Sequence, residues 1–459
     1  MKFKKNILCI GAGYVGGPTM AMIAYKCPQY KVTVVDINNE RIDQWNSDDL
    51  PVYEPGLDEI VKEARGRNLF FTPDIERGIK EAEIIFVSVN TPVKEFGAGA
   101  GMAADLQYWE KTARQIRDVS DSYKIIVEKS TLPVKTAQAM ERILTSDSSG
   151  VRFDILSNPE FLAEGTAIKD LEYPDRVLIG SRYTQSGLKA RDELMEIYAN
   201  WVPDERIITS NIWSSELSKL VANAFLAQRI SSINSFTALC EKSGADITEV
   251  ARAVGTDSRL GPKFLNASVG FGGSCFKKDI LNLVYLCKHY GLEEIADYWE
   301  SVIRINDYQM GRFVLTMLGA MFNTLAGKRL CLFGFAFKAN TGDTRESPAI
   351  HISKRLMEEK VELVITDPKA MNNAMKDLDG IEGNVSYIED PYEASANCDA
   401  IAVVTEWGLY ADLDFKRIYE SMVKPAFIFD GRNILDHEGL FEIGFNVFPV
   451  GKPPLTHFK

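Results

Sequence analysis

The stretch NILCIGAGYVGGPT, residues Asn6 to Thr19, constrains the fold of this chain more than any other. A short apolar run, Asn6 to Ile10, passes straight into Gly11, Gly13 and Gly16, a G-x-G-x-x-G triplet. Helix-forming residues follow from Tyr14 to Lys26, with Pro18 where a first helical turn accepts proline. A second apolar run, KVTVVD, ends on Asp36, twenty residues after Gly16. Strand, glycine turn, helix, strand and acid in that order predict a βαβ unit. Its glycines let the backbone turn tightly and approach a pyrophosphate at the helix N-terminus, and the acid accepts from adenosine ribose hydroxyls. Asp36 would repel a 2′-phosphate, so NAD is expected over NADP, although Arg41 stands nearby. A second match to the spacing, Gly99, Gly101 and Ala104 in EFGAGAGMAAD, follows a proline and charges instead of a strand and is expected to be a loop.

Strand-like runs continue at Ile84–Val89, Ile125–Glu128, Asp154–Ser157, Val177–Gly180 and Arg206–Ile208, with helical patterns at Leu106–Val119 and Val134–Leu144. This alternation predicts a mainly parallel, doubly wound sheet. Its strands run into the polar loops VNTP, KSTLP and SNPEFLAEG, which should rim a ligand at the carboxyl ends of the strands. Thr131, Glu160 and Glu164 are the polar groups best placed there, and ordinary turn residues would read the same way.

From Trp213 to Glu241 no glycine or proline occurs, and Leu217, Leu220, Val221, Ala224 and Phe225 fall at helical spacing, so one long helix is expected. Lys219 and Asn223, four apart, share a face that suits an alkoxide or carboxylate oxygen, or simply solvent. Further on, GFGGSCFKKD delivers Cys275 between glycines. Phe276, Ile280, Leu283, Val284 and Cys287 form an apolar stripe, placing Cys275 in the first turn of a helix with Asp279 one turn on. A helix N-terminus with Lys277 and Lys278 close by favours the thiolate, while a small buried apolar role for Cys275 stays open. Cys9, Cys287 and Cys331 lie within apolar runs and read as core.

The last third repeats the opening theme without the glycine triplet. KRLCLFG and VELVITD read as strands, the second again ending on an acid, with further strands at Ala400–Val404 and Ala426–Phe429 and a helix from about Ala349. Lys338, Arg345 and Arg432 are basic groups available to an anionic, nucleotide-like ligand. A net charge of −12 and a pI near 5.1 make nucleic acid an improbable partner. Seven scattered cysteines without a C-x-x-C pair, and four histidines far apart, argue against a disulfide framework and a metal site. The apolar run near the N-terminus is too short for a signal peptide and no stretch approaches a membrane span, so a reduced, cytoplasmic enzyme is expected.

These residues, with the strings CIGAGYVGGPT, YEPGL, SVNTP, SNPEFLAEGTAIKDL, PDRVLIG, WSSELSKL, ANAFLAQRISSIN, VGFGGSCF, FGFAFK, TGDTRES and PAFIFDGR, closely resemble the eukaryotic-type UDP-glucose 6-dehydrogenases of the UDP-glucose/GDP-mannose dehydrogenase family. The likeness runs from about Lys5 to about Val450. It implies an α/β chain of two Rossmann-like, doubly wound domains joined by a helical middle region with one long helix. The implied parts are an NAD-binding domain over 1–210, a central helical domain for dimerisation and catalysis over 211–325, and a UDP-sugar-binding domain over 326–459. The implied reaction converts UDP-glucose to UDP-glucuronate with two NAD per sugar, through a thiohemiacetal and a thioester on Cys275, followed by hydrolysis.

Carried over residue by residue, the catalytic set is Cys275, Lys219, Asp279, Glu160, Asn223 and Thr131. Division of the acid–base work among Lys219, Asp279 and Glu160 stays open. The implied cofactor set is Gly11, Gly13, Tyr14, Val15, Gly16, Asp36, Arg41, Val89, Asn90, Thr91, Pro92, Ser130, Thr131, Glu164, Cys275, Lys278 and Arg345. The implied substrate set is Glu160, Phe161, Leu162, Glu164, Lys219, Asn223, Arg259, Phe264, Leu265, Phe271, Gly272, Phe337, Lys338 and Arg432, with Arg259 reaching a neighbouring subunit. No metal is implied.

A homo-oligomer built from dimers, hexameric in many eukaryotes, and feedback inhibition by UDP-xylose are implied as well. Three positions depart from the animal pattern: Asn266 in place of lysine, Lys277 in place of glutamine, and Thr136 in place of alanine in the helix linked to that inhibition. They bear on allosteric behaviour more than on catalysis. A sister enzyme for UDP-N-acetylmannosamine or GDP-mannose, or a catalytically silent NAD and nucleotide-sugar binder, would share this plan.

Overall fold

The computed structural model describes residues 2–146 and 150–458. The chain forms two compact units, Met1–Ala222 with Leu281–Tyr290, and Asn223–Ile280 with Gly291–Lys459.

The first unit is built on an eight-stranded sheet. Its strands are β1 (Lys5–Ile10), β2 (Tyr30–Val35), β3 (Leu69–Thr72), β4 (Ile84–Val87), β5 (Lys124–Glu128), β6 (Phe153–Ser157), β7 (Val177–Ser181) and β8 (Ile207–Asn211). They lie in the order β3-β2-β1-β4-β5-β6-β7-β8, parallel except for the β6/β7 pair. Helices cover both faces, so successive residues of a central strand enter different cores. Ile7 and Cys9 of β1, with Ile84 and Phe86 of β4, join one core, while Leu8, Ile10, Ile85 and Val87 join the other. The strand order reverses between β1 and β4, and open sheets of this kind take their ligands at that crevice.

The second unit carries six parallel strands, β9 (Arg329–Phe333), β10 (Glu362–Thr366), β11 (Asn384–Tyr387), β12 (Ala400–Val403), β13 (Phe427–Asp430) and β14 (Asn446–Pro449). Their order, β11-β10-β9-β12-β13-β14, repeats that of the first six strands of the other sheet. The strands that sequence reading did not anticipate, β3, β11 and β14, have four residues each and all stand at sheet edges. A strand bounded on one side only needs no long apolar run, so its pattern is faint.

The central helices differ from expectation in two ways. The expected single helix to Glu241 stops at Ser235, and a separate helix covers Thr237–Ser243. The sequence around the break is rich in short polar side chains that take backbone carbonyls. The Ser235 hydroxyl donates to Ser232 O and the Thr237 hydroxyl to Asn234 O, and Phe236 N reaches back three residues to Ile233 O. In addition, a 28-residue helix spans Glu293–Ala320, longer than Ile212–Ser235, and buries Val302, Ile303, Met310, Phe313, Val314 and Met317.

Candidate active site

The glycine turn after β1 has the geometry its sequence predicts. Gly11 has φ +108°, and a Cβ there would lie 2.4 Å from Ser88 O. A Cβ on Gly16 would lie 2.0 Å from Gly11 O. Gly13 differs, because a Cβ there meets nothing within 4 Å. The first and third glycines therefore satisfy the protein's own backbone, and the second keeps space open beside the helix Gly16–Lys26. An open cradle at a helix N-terminus fits the pyrophosphate of a dinucleotide. Tyr14 and Val15 lie between the glycines at that helix head.

Asp36, just past β2, is buried and accepts from Ala12 N at 2.9 Å and Asn38 N at 2.9 Å, with Arg41 3.1 Å away. Arg41 thus neutralises the acid to which the sequence opposes it. The decoy glycines Gly99 and Gly101 lie in a turn-rich loop, as expected, closed by a bridge between Val93 and Ala104.

The strand-end loops are stitched together. The Ser130 hydroxyl donates to Val89 O at 2.7 Å, and the Thr91 hydroxyl to Thr131 O at 3.2 Å, which brings the loop of Val89, Asn90, Thr91 and Pro92 against Ser130 and Thr131. After β6, Glu160 turns its carboxylate onto its own loop, accepting from Phe161 N at 2.8 Å and Leu162 N at 3.3 Å. The Lys219 ammonium lies over the Phe161 ring, 5.1 Å from its centroid. Lys219 is buried, so the face it shares with Asn223 is not a solvated one. Glu164, from the same loop as Glu160, sits beside Gly165, whose N–H is taken by buried Glu54 at 2.7 Å.

Sequence reading passed over Lys129, Asn158 and Tyr198, which surround Glu160. The buried Lys129 ammonium meets Glu160 Oε2 at 2.8 Å, Asn158 Oδ1 at 3.1 Å and Tyr198 Oη at 3.2 Å. Burial acts to raise the Glu160 carboxyl, but the Lys129 charge and bond, the Phe161 N–H and Lys219 together bring it below the usual range. The available signal was a lysine two residues past the apolar run Ile125–Val127, just beyond the end of β5.

In the second unit, Cys275 sits one residue before the helix Phe276–His289, at its N-cap, not in its first turn. Its carbonyl accepts from Asp279 N at 2.9 Å, so the acid stands one turn on. Of the seven cysteines Cys275 alone is exposed, and the other six are buried. The Ser274 hydroxyl is 3.5 Å from the sulfur. Asp279 is buried, accepts from the Asn223 amide at 2.6 Å, and lies 3.0 Å from the Lys278 ammonium.

The glycines before Cys275 have separate tasks. A Cβ on Gly272 would strike Glu346 O at 2.5 Å, and one on Gly273, whose φ is +88°, would lie 3.0 Å from the Phe337 ring. Phe271 is held by Asn306, which accepts from Phe271 N and donates to Phe271 O. Gly273 N donates to Arg345 O at 2.8 Å, and Arg345 itself forks onto Asp343. Arg432 donates to Val404 O at 2.7 Å and Phe337 O at 3.1 Å, and Lys338 stands over the Phe337 ring. The cysteine loop, Phe337, Arg345 and Arg432 are therefore brought together. Leu265 is buried beside exposed Phe264. Arg259 is not drawn in: its guanidinium is 86% exposed and pairs with Asp257.

Profiles of the UDP-glucose/GDP-mannose dehydrogenase family match in chain order: its NAD binding domain over residues 5–202, its central domain over 213–308 and its UDP binding domain over 331–437. UDP-glucose 6-dehydrogenase 3 of Oryza sativa subsp. japonica is 60% identical over 466 aligned positions, spanning 98% of this chain and 97% of the rice protein. Among solved structures, a UDP-glucose dehydrogenase from the hyperthermophilic archaeon Pyrobaculum islandicum is 29% identical with a TM-score of 0.86, over 98% of each chain. A UDP-D-ManNAc dehydrogenase from Pyrococcus horikoshii is 27% identical with a TM-score of 0.82, over 97% of this chain and 99% of that one. Matched by all three profiles and by a near full-length relative, this chain belongs to the UDP-glucose/GDP-mannose dehydrogenase family.

Proposed function

We propose that this chain oxidises C6 of UDP-glucose to a carboxylate, giving UDP-glucuronate in two NAD-dependent steps. The observation that carries this reading is the thiol of Cys275, exposed at a helix head while every other cysteine is buried. NAD, when bound, supplies the hydride acceptor for both oxidations. Gly11, Gly13 and Gly16, Asp36 with Arg41, and the loops of Val89–Pro92 and Ser130–Thr131 would hold it, as would Glu164, Lys278 and Arg345.

In this reading Cys275 adds as thiolate to the C6 aldehyde and keeps it bound as a thiohemiacetal between oxidations. Loss of the second hydride leaves a thioester, and water cleaves it to the carboxylate and the free thiol. Lys219 and Asp279 handle the proton of the alcohol, and Lys219 with Asn223 stabilises the oxyanion. Glu160 and Thr131 orient or activate the water. Phe337, Lys338 and Arg432 hold the UDP-sugar, with Phe271, Gly272, Phe264 and Leu265 closing on it. Residues 1–210 are assigned to NAD, 211–325 to dimerisation and catalysis, and 326–459 to the UDP-sugar.

Two NADH formed per sugar are expected with UDP-glucose, and one would mark a simple alcohol dehydrogenase. Preference for an N-acetylated sugar nucleotide or GDP-mannose would overturn the choice of substrate. Cys275→Ser should bind UDP-glucose and NAD yet release no UDP-glucuronate, and normal turnover in it would refute the covalent route.

The same reading extends to partners. Phe225 and Leu239 in the central helices, and Phe236 at the break between them, are exposed large apolar side chains, which supports a homo-oligomer assembled from dimers, up to a hexamer, with Arg259 serving a neighbouring subunit. UDP-xylose is the feedback ligand, acting through the helix that begins at Thr136. Light scattering with and without UDP-xylose tests both. No helix among the described residues is long and apolar enough to cross a membrane, and the cytoplasm is the proposed location.

A further inference from the structure

Glu160 is a largely buried carboxylate, and it lies against a fully buried ammonium. Its side chain keeps 15% exposure, while that of Lys129 keeps 3%. A buried ammonium is costly unless all its protons find acceptors. Here the Lys129 ammonium has three: Glu160 Oε2 at 2.8 Å, Asn158 Oδ1 at 3.1 Å and Tyr198 Oη at 3.2 Å. The acceptors are themselves fixed. The Tyr198 hydroxyl donates to Asn158 Oδ1 at 2.7 Å, and the Asn158 amide donates to Leu178 O at 2.9 Å in β7. Asn158 N in turn donates to Glu128 O at the end of β5. The cation is therefore anchored to the sheet from strands β5, β6 and β7 and from the helix Gln185–Tyr198. Of the groups it touches, Asn158 directly follows β6 and Tyr198 ends a helix, while Glu160 lies further out on the loop after β6.

We infer that Lys129 is the positioning residue for Glu160, fixing its carboxylate as an anion beyond the end of β6, with Tyr198 and Asn158 holding Lys129 in turn. This rests on the reading that Glu160 serves the water-dependent half of the reaction. An isolated carboxylate in this environment would take up a proton and lose its ability to accept one from water. The Glu160 oxygens divide the work: Oε1 takes the Phe161 and Leu162 N–H groups, and Oε2 faces Lys129, with the Thr19 hydroxyl 3.5 Å away. The other charged groups around it are Lys219, which also favours the anion, and Asp170 and Arg176, which with Tyr198 line a small cavity beside the pair. Among the described residues the polar partners of the Lys129 ammonium are Glu160, Asn158 and Tyr198, and of these Glu160 alone is assigned to the reaction, so its effect runs through that carboxylate.

Lys129→Met tests this. UDP-glucose KM and the first burst of NADH should stay near those of the parent, while steady-state turnover at neutral pH falls on the order of 100-fold and recovers as pH rises. The acid limb of the turnover profile should move to higher pH. Infrared spectra at neutral pH should show a protonated carboxyl in Lys129→Met that disappears in Lys129→Met/Glu160→Gln. Within the Glu160→Gln background the lysine substitution should add no further loss of turnover.

An unmoved acid limb in Lys129→Met, or an undiminished further loss in the Glu160→Gln background, overturns the proposal. Tyr198→Phe keeps the ring and removes one oxygen from the ammonium, and it should move the same limb the same way by a few-fold. An unmoved limb there overturns the proposal also, whether or not Lys129→Met folds. Full turnover in Glu160→Gln alone would instead refute the role assigned to Glu160, so the two failures are separable.

Discussion

The two sheets carry matching parts put to different use. Gly11 and Gly334 both follow a first strand with positive φ, and both donate from N–H to the end of the neighbouring strand, at Val35 O and Thr366 O. A Cβ on either would collide with the crossing strand end, at Ser88 in one sheet and Thr405 in the other. Asp36 and Asp367 close the second strands in the same way. Yet Asp36 takes two backbone N–H groups and one arginine, whereas Asp367 takes Phe335 N, Ala336 N, Lys369 N, Ala370 N and the Trp407 indole. The first acid keeps capacity for a ligand, and the second is consumed in holding its loop.

The loops differ accordingly. Five residues after Gly11 a helix begins, with the open Gly13 at its head, whereas from Gly334 the chain runs through a long polar loop before the helix Pro348–Glu358. A third pair ends the strands β5 and β13, where Glu128 stands opposite Val87 and Asp430 opposite Val403. Asp430 accepts from Arg432 N and Leu435 N and meets His437 at 2.9 Å. Neither Glu128 oxygen has a donor among the described residues, and its neighbour is another buried acid, Glu216. The same scaffold position can thus be a saturated anchor or a charge problem. The difference lies in the loop that follows it.

Removing the saturated acid should have the largest effect. Asp367→Ala strands five donors, four of them buried, and each buried one costs about 1–3 kcal/mol when unpaired, which is comparable to a whole domain's stability of roughly 5–15 kcal/mol. Urea unfolding should show a severe loss, with Asp36→Ala losing far less stability while weakening NAD. Equal losses in the two variants would break the contrast.

Next in size, Gly13→Ala should leave the unfolding midpoint where it is, because its Cβ meets open space, and weaken NAD by at least about tenfold, roughly 1.4 kcal/mol. Gly334→Ala, whose Cβ would fall 2.3 Å from that of Thr405, should do the reverse.

The smallest effect concerns Glu128. Burial, then Glu216, push its carboxyl well above the ordinary value, and burial raises Glu216 as well. Glu216 spends its own oxygens on Lys135 N and Ala137 N at the start of the helix Thr136–Leu144. A proton on Glu128 converts the clash into a hydrogen bond worth about 1 kcal/mol. Because the folded state holds that proton more tightly, the stability is fully present below the ordinary Glu value of about 4.3 and is lost as pH rises through the folded value. Glu128→Gln should flatten that decline in a series of urea midpoints against pH. An unchanged slope would place the dependence elsewhere.

Much of the candidate dinucleotide site was legible because its chemistry is local. Three glycines and an acid at fixed spacing must bend and aim the chain within thirty residues or so, and they do. Cys275 was legible as a thiol near a helix head, although only the fold puts it directly before the helix and sets it apart as the one exposed cysteine. The pairing of Asn223 with Asp279 joins residues 56 positions apart and had no signal beyond a shared helical face. Lys129 read as the first residue of a polar turn, since its partners Asn158 and Tyr198 lie 29 and 69 positions away. The break at Phe236 was written locally, in a run of short polar side chains, but the absence of glycine and proline concealed it.

The sequence by itself determined the two glycine-led sheets, the acids that end their second strands and the placement of the thiol between glycines. Each depends on backbone conformations that few residues adopt and on contacts a few positions apart. The tertiary structure decided which of those acids are saturated, which charges are buried in pairs and which carboxylate an ammonium holds. Such states depend on donors brought in from distant strands and helices, and burial makes an ion's partners matter far more than its place in the chain.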